Sequence, residues 1–420
     1  MEHGQIADNA TAEYALRLVG RYGRKSEGNT IMRILVVPMF ALSCMGGPWS
    51  RAQKVSAAFM DAGHDVTMGV APDGNCAGPV APHIVELPAP SPLGLPMPLS
   101  SRAFPIAERL GIAGRRPVRS FEEVLWLTGA LSRRYEAQSV ELLRRHIRSE
   151  RADVVYSEFS LPAIIAAQAE GVPCVGTASY PTQAAYACDP SKAKGVRRLL
   201  SELALPDVAT SLDLFGRMER RFVPSCAELE PLESDNVVFC GFLDGKAATR
   251  EARSAASRDA IVVYMGMGSV PRAAVMRVAS ALAESTGRHV YVAGFAGSPF
   301  DEGGLHVAER FDFSELLPRA CAFVNHGGQN SVMDALAHGV PQVICPGRVF
   351  ERRFNAQSVE LAGAGVCLGR FDEPTVLRTI ERITREGSFE AKAAELRDSL
   401  ASLGGTATIV AEVERLVAYK

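Results

Sequence analysis

No stretch of this chain approaches the roughly 18 apolar residues that a membrane span requires. The opening MEHGQIADNATAEYALRLVG has neither the basic segment nor the apolar core that directs export. No membrane span is expected, and the cytoplasm is the expected location. An excess of one charge is equally missing: 45 Lys+Arg stand against 47 Asp+Glu, a formal net charge of -2. No overall field therefore draws the chain to nucleic acid or to an anionic membrane. The nine cysteines include no CxxC pair and no His at metal-ligand spacing. An odd, scattered set reads as reduced thiols, mostly in the core, with no metal site. Histidine is scarce, and none lies between His3 and His64.

What remains is a chain suited to small molecules. At 420 residues it exceeds one ordinary core, and two domains of about 200 residues each are expected, with a cleft between them. Residues 1–31 are polar and mixed and read as an N-terminal extension, disordered or loosely attached. The chain then runs strand (RILVVPMF), Gly-rich turn (CMGGP), helix (SRAQKVSAAFMDAGHDV) and strand (DVTMGV). Val55, Ala58, Phe59 and Ala62 mark one helix face, and Gly63 supplies the stop. A similar unit begins at AIVVYMGMGSV, followed by PRAAVMRVASALAEST, Gly287 and HVYVAGF. Unbroken apolar runs such as IVVYM and AFVN suit strands buried on both faces of a parallel sheet. Two doubly wound α/β domains follow, at 32–225 and 236–405, with the junction where apolar periodicity lapses in 220–236. A last helix, 406–420, could return to the first domain. The Pro-rich segment 79–105 reads as a loop folded over a surface, plausibly a pocket.

The chemistry concentrates in CAFVNHGGQNSVMDALAHG, where a strand meets His326, Gly327 and Gly328 before a helix from about Asn330 to Ala337. Unpaired N–H groups and the dipole at that helix end attract an anion, and glycines let it approach the backbone. His326, Asn330 and Ser331 add side-chain donors. The same residues also suit a plain Asn or Ser cap on a glycine turn, which needs no ligand. A second loop of this kind, YMGMGSVP, brings Gly266, Gly268 and Ser269 to a strand end. Asp334, one turn beyond Asn330, can reach ribose hydroxyls or simply offset the helix dipole. Glu351, Arg352 and Asn355 stand at a third strand end, so three loops converge on one cleft edge.

The stretch HGGQNSVMDALAHGVPQVICPGRVFERRFNAQSVELAGAG resembles the donor-binding signature of family 1 nucleotide-sugar glycosyltransferases of the GT-B fold. MRILVVP with AGHDVTMG, DVVYSEF with GVP, FVPSCAELEPL with VVFCGFL, and ERFDFSELLPRACAFVNHGG extend the likeness over nearly everything from Met32 onward. The resemblance implies a nucleotide diphosphate sugar as co-substrate and no bound cofactor. His326, Gly327, Gly328, Gln329, Asn330 and Ser331 would hold the diphosphate, with Gly268 and Ser269 facing it. Asp334 would bind the ribose, Arg310 would stack on the base, and the Phe311 backbone would pair with its edge. Glu351 and Arg352 match the pair that touches the sugar hydroxyls. Arg352 suits an anionic sugar such as a uronic acid, but equally a phosphate or a surface ion pair.

The family's usual base is a His in a Gly-His turn after the first strand, backed by an acid on a later strand. Here Gly47 and Pro48 occupy that turn. Glu158 matches the acid, and with burial to raise its pKa it is the candidate base; capping the next helix is the simpler role open to it. Gly47, Pro48 and Trp126 are placed on the acceptor side. The implied activity is that of an inverting, metal-independent hexosyltransferase using a UDP or dTDP sugar and a mostly hydrophobic small-molecule acceptor. The missing His leaves two alternatives, a catalytically impaired nucleotide-binding helper and an epimerase or hydrolase on the same fold.

Overall fold

The computed structural model describes residues 31–40, 47–71, 78, 80–92, 99, 117–243, 258–266, 270–295 and 299–418. In the first domain the apolar runs become strands: β1 (Arg33–Pro38), β2 (Asp65–Val70), β3 (His83–Glu86), β4 (Val154–Glu158), β5 (Cys174–Thr177), β6 (Arg220–Val223) and β7 (Val237–Phe239). They pair in parallel in the order β3-β2-β1-β4-β5-β6-β7. The central strand β4 is buried throughout because helices cover both faces. These are α1 (Gly47–Asp61), α2 (Phe121–Leu127), α3 (Arg133–Glu150), α4 (Leu161–Glu170) and α5 (Lys194–Glu202). The apolar stripe of α1 buries Ala52, Val55 and Phe59 against Ile34, Val36 and Tyr156.

The second sheet has the order β10-β11-β9-β8-β12-β13-β14. Its strands are β8 (Ala260–Tyr264), β9 (His289–Ala293), β10 (Phe300–Glu302), β11 (Leu305–Ala308), β12 (Ala320–Asn325), β13 (Gln342–Ile344) and β14 (Gly365–Cys367). Only the edge pair β10 and β11 is antiparallel. Its helices are α6 (Arg272–Thr286), α7 (Phe313–Leu316), α8 (Gln329–Ala337), α9 (Phe350–Leu361), α10 (Glu373–Arg385) and α11 (Gly387–Ser402). A final helix, α12 (Thr406–Ala418), packs back on α1. Ile409 and Val413 enter the core beside Val55 and Phe59, and Glu414 lies 3.1 Å from buried His64.

The domain boundary differs from the expected one. β7, at residues 237–239, pairs with β6 and so belongs to the first sheet, although the sequence division starts the second domain at 236. The stretch 220–236 is β6 and the loop that joins it to β7, and the true crossing follows β7. Gly241 lies there at φ +66°, and a Cβ on it would stand 1.9 Å from the Leu400 carbonyl oxygen. The crossing thus needs a glycine under the end of α11. Of segment 79–105, the described residues Ala81 and Leu87 are buried in the first domain, and none of the described residues of that segment lines the cleft. The rest of it, like residues 1–30, lies outside the described residues. The seven described cysteines are free thiols, and no described helix is long and apolar enough to cross a membrane.

Candidate active site

Central strands of both sheets point their carboxyl ends at one cleft, the position where open α/β sheets bind ligands. On the C-terminal side, β12 ends at Asn325, whose side chain fixes the turn that follows. Its Oδ1 accepts from the Gly327 N–H at 2.8 Å, and its Nδ2 donates to Gln342 Oε1 at 2.9 Å. From α9, Asn355 Nδ2 donates to the Gly327 carbonyl at 2.9 Å. Gly327 has φ +81°, and a Cβ there would lie 2.7 Å from the Arg352 carbonyl oxygen. Gly328 caps α8 with no side-chain partner, so the first-turn N–H groups are left for an anion. Gly327→Ala is expected to weaken binding of UDP or dTDP at least tenfold in calorimetry, because left-handed strain alone costs about 1–2 kcal/mol. Unchanged affinity would separate this turn from nucleotide binding.

The His326 ring is buried and meets Tyr264 edge-on, with centroids 5.4 Å apart. Burial first, then the nearby Arg352 charge, pushes its pKa down to about 3, against a smaller upward pull from the Tyr264 carbonyl. The ring is therefore neutral at ordinary pH and carries one N–H. Nδ1 lies 3.4 Å from the Tyr264 carbonyl oxygen. The positive charge at this wall comes from Arg310 and Arg352 rather than from the imidazole.

Between the domains lies a cavity of about 720 Å³. The structure brings Arg310, Phe311, His326, Gly328, Gln329 and Asn330 to it, and with them Ser331, Asp334, Glu351 and Arg352. Gly327 stands behind this wall and sets its shape. Gly268 and Ser269 lie outside the described residues. Among the described residues no cluster of three or more His, Cys, Asp or Glu is placed to hold a metal ion.

Opposite, Gly47 and Pro48 line the cavity with Trp49, Phe121 and Phe159. Trp126 does not join them. It is 47% exposed on α2, with the Lys192 ammonium 5.6 Å from its ring centroid. Glu158 is not brought to the cavity either, because it is fully buried at the end of β4. Arg51 Nε donates to its Oε1 at 2.7 Å, and Thr177 Oγ1 bonds its Oε2. Burial pushes the Glu158 carboxyl above the ordinary range, with Arg51 and Thr177 pulling the other way. Both carboxylate oxygens are occupied, and the residue that meets the cavity is Arg51. Nothing in a helical turn read alone marks Arg51 for this role. Gly47 leaves room for it: a Cβ there would stand 3.0 Å from Arg51 Nη1.

Comparison with solved structures decides the fold. The spinosyn rhamnosyltransferase SpnG complexed with thymidine diphosphate superposes with a TM-score of 0.64 over 91% of this chain and 100% of that one, at 18% identity. Residues 302–416 match the family described as erythromycin biosynthesis protein CIII-like, C-terminal domain. The chain therefore has the fold of the GT-B glycosyltransferases. The chain is 37% identical over 106 residues to the aclacinomycin-T 2-deoxy-L-fucose transferase of Streptomyces galilaeus, covering 24% of each chain. It is 31% identical over 162 residues to the 4'-demethylrebeccamycin synthase of Lentzea aerocolonigenes, covering 37% of this chain and 38% of that one. These matches span about a quarter to two-fifths of the curated relatives.

Proposed function

We propose that the chain is an inverting glycosyltransferase that moves a hexose from a UDP or dTDP sugar to a mostly hydrophobic small-molecule acceptor. The observation that carries this reading is the amino end of α8, without a side-chain cap behind a glycine turn, facing a wall that carries Trp49, Phe121 and Phe159 across a cavity of about 720 Å³. The helix end and Ser331 would take the diphosphate beside the His326 ring, Asp334 the ribose, and Glu351 and Arg352 the sugar. As the bond to the anomeric carbon breaks, negative charge grows on the departing diphosphate. Fixed N–H dipoles and Arg352 stabilise that charge without reorganising. The names of the relatives, a 2-deoxy-L-fucose transferase among them, and the thymidine diphosphate in the SpnG complex favour a dTDP-linked deoxyhexose as donor. The cytoplasm is the location that goes with this reading.

One observation favours a second reading, a nucleotide-binding helper without turnover: no carboxylate or histidine of the first domain lines the cavity among the described residues. One experiment separates the two. UDP and dTDP are expected to raise the melting temperature, since a ligand at 100 times its Kd adds about 2.7 kcal/mol. A panel of nucleotide sugars with phenolic, steroid and polyketide acceptors should then yield a glycosylated product, with EDTA leaving the rate unchanged. A melting shift without product supports the helper, donor consumption without acceptor points to an epimerase or hydrolase, and no shift with any nucleotide sinks the donor-site reading itself.

A further inference from the structure

A neutral hydroxyl that attacks an anomeric carbon must lose its proton to a base within hydrogen-bond reach. The described residues of the first-domain wall offer none, and Arg51 is the one charged residue among them. That guanidinium uses Nε on Glu158, and its Nη groups have no acceptor among the described residues. Its remaining 8% exposure opens on the cleft beside Pro48, Trp49 and Phe159. The Phe159 ring centroid lies 5.4 Å from the guanidinium carbon, and Phe159 itself is held at φ +58°. The cation is therefore fixed in place by a buried carboxylate, an aromatic face and the space left by Gly47. A guanidinium does not take up a proton at ordinary pH; it favours the deprotonated form of an acid beside it.

We propose that the acceptor enters as an oxyanion, a carboxylate or an acidic phenolate on an apolar scaffold, with its charged oxygen on the Nη groups of Arg51. This rests on the glycosyl-transfer reading above. The oxyanion's lone pair forms the bond to the anomeric carbon as the bond from that carbon to the β-phosphate oxygen breaks. The bonding pair leaves with the nucleoside diphosphate, and no proton is released. The absence of a base among the described residues of this wall is then a property of the substrate class. Glu158 is a positioning residue: its Oε1 takes the Nε of Arg51 at 2.7 Å and leaves the Nη side of the guanidinium for the acceptor. Pro48, Trp49 and Phe159 beside the guanidinium lower the local dielectric and strengthen that contact.

The test uses the full chain with saturating UDP or dTDP and three probes read through tryptophan fluorescence: 2-naphthoate, 4-nitrophenolate at about pH 8, and neutral 2-naphthylmethanol. At least one anion should bind about tenfold or more tighter than the alcohol, the scale of a charge-assisted hydrogen bond in a dry site. Preference for the carboxylate points to ester-linked sugars, and preference for the phenolate to aryl glycosides. Arg51→Lys should keep part of the preference, and Arg51→Gln with Glu158→Gln should remove it. Nucleotide-induced melting shifts on the same samples report that the variants are folded. Equal or tighter binding of the alcohol, no binding of either anion, or a preference that survives the double substitution would overturn the inference. Intact nucleotide binding without an anion preference defeats this inference alone, whereas loss of nucleotide binding in the native protein defeats the glycosyl-transfer reading.

Discussion

Arg51→Met is expected to lower the stability of the protein by about 3–5 kcal/mol near neutral pH, the usual cost of removing one partner from a buried ion pair. Glu158 is fully buried, and the lost partner is its 2.7 Å contact. Thr177 then remains as its hydrogen-bond donor. The deficit should depend on pH with a definite sign. Burial already holds the folded pKa of Glu158 above its ordinary value, and Arg51 is the larger of the two groups opposing that rise. Removing Arg51 raises the folded value further. A carboxyl with a raised folded pKa contributes stability that is present at low pH and is lost as pH climbs through the folded value. The deficit relative to the native protein therefore grows with pH.

Adding Glu158→Gln to Arg51→Met should recover most of the loss, since an amide leaves no charge in the core. The recovery is the coupling energy of a double-mutant cycle, and urea midpoints at several pH values measure it. A deficit below about 1 kcal/mol that does not vary with pH would mean that water reaches Glu158 and that the pair is effectively a surface one.

Much of the fold is legible in the sequence because its signals are local. Unbroken runs such as AIVVY can only be strands buried on both faces, and the glycines of the β12–α8 turn announce a close backbone approach that Gly327 fulfils against Arg352. Features that escape have partners far along the chain. Arg51 looks like a solvated residue of an amphipathic helix, but its partner is 107 residues away. The three half-buried residues of β7 form too short a run to stand out from a charged loop. Trp126 is a large aromatic in a helical stretch, but its position on α2 faces outward. Asn325 and Gln342, which fix the β12–α8 turn, read as ordinary polar residues at strand ends until β12 and β13 are set side by side.

Glu230 escapes for the same reason. In CAELEPLESDN it reads as one of several solvated acids, but it is 2% exposed and its carboxylate accepts the Tyr180 N–H. Burial, with the Glu351 charge adding to it, pushes its pKa from an ordinary 4.5 up to about 8, against the Tyr180 N–H and Arg51. A raised folded pKa means that its contribution to stability is full below about pH 4.5 and is lost as pH rises toward 8. At 1.36 kcal/mol per pKa unit the loss is at most about 4–5 kcal/mol, and about half that once relaxation and water entry are allowed for. Glu230→Gln is therefore expected to stabilise the protein by about 2 kcal/mol above pH 8 and to change little near pH 5. The acid limb should persist in the variant. His326, depressed to about 3 from an ordinary 6.5, supplies stability that is full above 6.5 and is lost as pH falls toward 3. Urea midpoints across the pH range would show the two limbs separately. If the native and Glu230→Gln curves run parallel on the alkaline side, the carboxyl is ionised in the folded protein, and a group paired with it near Tyr180 has to be found.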